Sequence, residues 1–105
     1  MQTYVMMTRL NHSTLDAPEN LESLEHQVKE RIQDSLGTDG LEWVASYAVG
    51  GPYDYIDVFR AKDNDAAIKV STIVRTFGHA QSEVWPATDW GHFKEMTRNL
   101  PGGQA

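Results

Sequence analysis

Residues 50–63 read GGPYDYIDVFRAKD, and this stretch orients the rest of the chain. Gly50, Gly51 and Pro52 interrupt regular structure, because glycine takes positive φ without steric cost and proline cannot continue a ladder. Large and polar side chains then run through Tyr55, Ile56, Asp57, Val58 and Phe59. The spacing predicts a strand over 54–61. Upstream, LEWVASYAV over 41–49 predicts its partner, so the two form a hairpin with Gly50 or Gly51 at positive φ. Asp57 is the anomaly, a carboxylate between apolar neighbours.

Working outward from the hairpin gives the remaining elements. Leu21, Leu24, Val28, Ile32 and Leu36 recur at helical spacing. Asp16 is the expected cap of that helix, with Glu19 completing a capping box, and Gly37 its stop. Residues 11–15 are expected as a loop. Residues 2–10 are β-rich and apolar on both faces, which predicts a central strand covered on both sides. After the hairpin, Asp63 is expected to cap a helix that buries Ala66, Ala67, Val70, Ile73, Val74 and Phe77, with Gly78 as its end. Residues 79–87 predict a fourth strand. A last helix, capped by Thr88 or Asp89, is expected to bury Trp90, Phe93, Met96 and Leu100. The order β-α-β-β-α-β-α predicts an α+β, ferredoxin-like fold. Right-handed crossovers then give a four-stranded antiparallel sheet in the order 4-1-3-2. One domain over 1–100 is expected, followed by a loose tail over 101–105.

Composition removes several classes of function. The 105 residues contain no cysteine, which excludes disulfides, thiolate catalysis and iron–sulfur clusters. The net charge is −6 and no basic cluster occurs, so neither nucleic acid nor an anionic membrane is expected as a partner. No apolar run reaches the length of a membrane helix, and the first ten residues lack the features of a signal peptide. A cytoplasmic location is expected. No cofactor is expected either, since phosphate-loop, nucleophile-elbow and HExxH patterns are missing.

Gly51-Pro52-Tyr53-Asp54 has the form Gly-x-Tyr-Asp and sits between two predicted strands. With the opening MQTYVMMTRL and the helix start DNDAA, it resembles the GYD-domain family of small bacterial and archaeal proteins over about residues 2–98. Pro52 and Asp57 set this chain somewhat apart. The resemblance implies a dimeric α/β-barrel assembly in which the bare sheet face packs on a second subunit. It implies no particular reaction. The hairpin also looks like the effector-binding domain of Lrp/AsnC-type regulators, but no helix-turn-helix precedes it.

Two constellations can carry chemistry. His12, Asp54 and His79 are expected at one end of the sheet, because strand 1 ends where strands 3 and 4 begin. Two imidazoles and a carboxylate suit a divalent metal or general acid–base work. The structural alternative makes Asp54 a hydrogen-bond partner of turn amides and leaves both histidines exposed. The second group is Trp43, Tyr47, Tyr55, Asp57, Gln81, Glu83 and Trp85, expected to share one face of the sheet. That face reads either as an aromatic-lined small-molecule pocket or as a dimer interface. The expected function is a small homo-oligomeric protein with a small-molecule cavity. The alternatives are a cofactor-independent monooxygenase or isomerase of the dimeric α/β-barrel type, and a self-assembly module without ligand.

Overall fold

The computed structural model describes residues 1–102. The elements are β1 (Gln2–Leu10), α1 (His12–Leu15), a 3-10 turn (Pro18–Asn20), α2 (Leu21–Leu36), β2 (Leu41–Ala48), β3 (Tyr55–Ala61), α3 (Asn64–Thr76), β4 (Ala80–Ala87) and α4 (Trp90–Arg98). All strand pairs are antiparallel, in the order β2-β3-β1-β4. That is the expected ferredoxin-like order read from the opposite edge. Of the tail expected over 101–105, residues 103–105 lie outside the described residues.

The core lies between α2, α3 and one face of the sheet. Tyr4, Met6 and Leu10 of β1 meet Phe59 and Ala61 of β3. Val28 and Ile32 of α2, with Ala66, Ala67, Val70 and Val74 of α3, close over them. Phe59 is fully buried, its ring 5.7 Å from Tyr4 and 5.6 Å from Trp43. The start of α3 follows the sequence pattern: Asp63 Oδ1 accepts the Ala66 N–H at 2.8 Å. The start of α2 does not. Residues 12–15 form a short helix rather than a loop, and Pro18 opens a 3-10 turn. The long helix therefore begins at Leu21, past Asp16 and Glu19, and its cap residue Asn20 makes no side-chain bond.

The other sheet face has no helix over it. Register places Val5, Met7, Ile56, Val58, Glu83 and Trp85 on that side. Trp85 is 52% exposed. The described helices cover one face only; on the other, neighbouring side chains bury Met7 while Val5, Ile56 and Val58 stay half-buried.

Two features correct the sequence reading. β2 carries an irregularity between Trp43 and Ala45, which opposite β3 leaves Val44 without a partner. An extra residue reverses the alternation. Trp43 therefore pairs with Phe59 on the helix-covered face, whereas Tyr47 pairs with Ile56 on the open one. The expected burial of Trp90, Phe93, Met96 and Leu100 also fails, since all four are 44–68% exposed. α4 contains no buried residue. The molecule measures 56 × 32 × 19 Å with a radius of gyration of 16.3 Å. A compact chain of this length would have about 13 Å. The excess fits a terminal helix that is not folded back onto the core.

Candidate functional site

α2 lies over the β2–β3 side of the sheet and leaves a pocket of about 450 Å³ beneath it. Met6, Leu10, Val28, Ile32 and Trp43 form apolar walls, while Leu15 and Leu21 stand at its mouth. The polar lining comes from Ser46 of β2, Asp54, Tyr55 and Asp57 around β3, His79 before β4, and Glu25 and Lys29 of α2.

Asp57 is the most unusual of these groups. Its position in the β3 alternation turns it toward the helices, opposite Met6 and Ser46. It is 7% exposed, and its Oδ1 accepts a hydrogen bond from the Ser46 hydroxyl. Burial raises its pKa; the Ser46 bond and the Lys29 charge oppose that rise. Tyr55, one pleat back, is pushed up to about 12, mainly by burial, so its hydroxyl stays protonated. His79 is 8% exposed, and burial lowers its pKa, so its ring is neutral at neutral pH. Its Nδ1 has no hydrogen-bond partner. A buried polar atom of this kind carries a desolvation cost.

The glycine turn works on both faces of the sheet. Gly51 has φ 141°, as the turn chemistry predicts. The connection runs over residues 49–54 and is closed by the Val49 N–H on the Asp54 carbonyl at 3.0 Å. The Asp54 N–H then donates to the Thr8 carbonyl at 2.9 Å, and Asp54 Oδ2 accepts the Leu10 N–H at 2.7 Å. Asp54 thus clamps the hairpin to the end of β1. Tyr53 donates its hydroxyl to Glu83 Oε2 on β4. The Arg9 guanidinium lies 5.5 Å from the Tyr53 ring centroid, and its Nε donates to the Pro52 carbonyl at 2.8 Å.

Asp54 and His79 do reach one site, together at the pocket wall. His12 does not join them: its exposed side chain pairs with Asp16 at 3.5 Å. Among the described residues no group of three or more His, Cys, Asp or Glu is arranged to hold a metal. Of the aromatic and acidic set, Trp43, Tyr55 and Asp57 face the pocket, while Tyr47, turned to the open face by the register, only borders it at the edge strand. Gln81, Glu83 and Trp85 lie across the sheet, opposite Arg9, Met7 and Val5. The expected single face is therefore divided between two. Ser46, Glu25 and Lys29 were missed. Ser46 changes face through the bulge, and the Glu25–Lys29 pair reads as an ordinary surface ion pair until the helix is set over the sheet.

The model of the GYD domain family matches residues 4–97. The chain belongs to the GYD domain family. A relative, the glutamine synthetase and cystathionine beta-lyase binding protein of Thermus thermophilus, is 33% identical over 97 residues. The match covers 92% of this chain and 85% of that one. Among solved structures, TTHA0845 from Thermus thermophilus aligns with a TM-score of 0.55 at 20% identity, covering 85% of this chain and 95% of that one. FFRP-DM1 aligns at 0.52 and 18% identity, over 84% and 100% of the two chains. At3g17210 from Arabidopsis thaliana aligns at 0.52 and 13% identity, over 85% and 95%. These structures share the fold of this GYD domain. No described helix is long and apolar enough to cross a membrane.

Proposed function

We propose that this GYD protein is a homo-oligomeric binding protein whose subunits each hold a small molecule between α2 and the sheet. The observation that carries the reading is that Asp57 and His79, both more than nine-tenths buried, lie on the wall of one largely apolar pocket. Ionisable groups are costly to bury, and those retained beside a cavity mark functional sites. The assembly rests on a separate feature. The open face presents Val5, Ile56, Val58 and Trp85 with no helix above them, and α4 adds Trp90, Phe93 and Met96. Apolar area of this extent is rarely left in water. A second copy brings the same surfaces and covers both. The lack of cysteine fits a cytoplasmic address.

Fragment screening by amide chemical-shift mapping tests the pocket. The expected shifts gather at Val28, Trp43, Tyr55, Asp57 and His79. Shifts confined to the open face, or no shifts at all, would refute it. Sedimentation tests the assembly: a mass above that of one chain is expected, reduced to one chain by Trp85→Glu.

A second reading takes support from the Thermus relative, which is named for binding two other enzymes. On that reading the exposed α4 stripe meets a protein partner instead of a second copy.

A further inference from the structure

The pocket's charges are unevenly matched. Among the described residues Lys29 is the pocket's one Lys or Arg, and Glu25 already meets that charge at 3.5 Å. The Lys29 ammonium also lies 5.4 Å from the Trp43 ring centroid, at the pocket wall. Asp54 and Asp57 remain. Among the described residues, neither has a Lys, Arg or His within ion-pair distance. Asp54 is satisfied at Oδ2 by the Leu10 amide, and Asp57 at Oδ1 by the Ser46 hydroxyl, both uncharged donors. His79 does not supply the missing positive charge, because burial disfavours its protonated form. Its Nδ1 instead lacks a donor or acceptor to pair with. Around these groups the walls are apolar: Met6, Leu10, Val28, Ile32 and Trp43.

We propose that the pocket selects an organic cation, a protonated amine on an apolar, preferably aromatic, body. The proposal rests on the small-molecule reading above. The body fills the space between Trp43 and the α2 residues Val28 and Ile32. The ammonium approaches the Asp57 and Asp54 side, where it supplies the contacting positive charge that these carboxylates lack. A carboxylate or phosphate ligand meets two acids that no cation contacts, with Lys29 acting on Asp57 only from a distance, and is rejected. A bare metal ion is disfavoured too, since no set of three metal-ligating side chains forms among the described residues.

Three probes of similar size separate the claims: phenethylamine, phenethyl alcohol and phenylacetate, each titrated into the full-length protein at neutral pH. Binding is followed by tryptophan fluorescence and by amide shifts at Trp43 and Asp57. The amine is expected to bind at least about tenfold more tightly than the alcohol, and phenylacetate more weakly than either. Asp57→Asn, close to isosteric, should bring the amine down to the affinity of the alcohol and leave the alcohol unchanged. Lys29→Gln should tighten the amine further, which provides a readout if Asp57→Asn fails to fold. Equal affinity for amine and alcohol would overturn the charge selection while leaving the pocket in place. Tighter binding of phenylacetate would overturn it in the same way. No binding of any probe would overturn both the selection and the pocket on which it rests.

Discussion

The two faces of the sheet are made by the same four strands, yet they treat polar groups in opposite ways. On the covered face Asp57 and His79 are sealed beneath helices, where each exchanges hydration for a hydroxyl or for nothing. On the open face Arg9, Tyr53 and Glu83 form a chain of contacts in solvent, beside half-buried Val5, Ile56 and Val58 and the exposed Trp85. The covered face is finished as a fold but not as a site. The open face is finished as a site for neither ligand nor water and fits assembly. The Gly-x-Tyr-Asp turn joins the two: Asp54 serves the covered side and Tyr53 the open side.

The largest expected effect separates the faces by stability. Phe59→Ala removes a fully buried ring packed between Tyr4 and Trp43. A loss of about 3–5 kcal/mol is expected in chemical denaturation. Trp85→Ala, on the open face, should leave the unfolding free energy of the isolated chain nearly unchanged and instead lower the midpoint only at concentrations where the wild type is assembled, so that the midpoint depends less on protein concentration. Equal, concentration-independent losses in the two variants would mean that the open face is part of the monomer's own core.

Next comes the clamp between the faces. Asp54→Ala leaves the Leu10 amide without its carboxylate partner at the end of β1. A loss of about 1–3 kcal/mol is expected. Amide exchange should quicken at Leu10 and through residues 49–54, while the far end of the sheet keeps its protection. Uniform loss of protection would show that Asp54 supports the whole fold and not this corner.

A smaller contrast concerns the helices. Asp63 caps α3, which buries Ala66, Ala67, Val70, Ser71 and Val74; Asp89 caps α4, which buries nothing. Asp63→Ala should cost about 1 kcal/mol of global stability. Asp89→Ala should fray α4, seen as faster amide exchange there, with the global midpoint unmoved. A matching global loss would place α4 in the cooperative unit.

These contrasts also mark what was legible in the sequence. The sheet order followed from the hairpin at 50–63 and from crossover handedness, both of which depend on local chemistry and chain direction. Asp63 and Gly51 could be placed because caps and turns are local. The covered pocket was only half legible. Asp54, Tyr55, Asp57 and His79 could be named, but the bulge after Trp43 has no mark in LEWVASYAV, and it decides which face each β2 residue meets. The error at α4 has a different cause. Its Trp90, Phe93 and Met96 stripe has the spacing of a core helix, and periodicity does not say whose core it joins.

The smallest expected effect is a tilt of stability with pH, and it tests the covered face alone. His79 has a folded pKa below its ordinary value because burial resists its charge. Between the lowered folded value and the ordinary one near 6.5, the unfolded chain therefore binds more protons than the folded one. Stability should fall as pH drops below about 6.5. Asp57 acts in the reverse sense, in a lower window. Its pKa is raised, so between 3.8 and that raised value the folded chain holds the extra proton. There its contribution should grow as pH falls. His79→Gln should remove the upper slope and Asp57→Asn the lower one. Denaturation midpoints taken across this range, at fixed protein concentration, would show it. An upper slope that survives His79→Gln would mean that the histidine does not carry it, and Asp57 would then be the buried group on which the pocket reading rests.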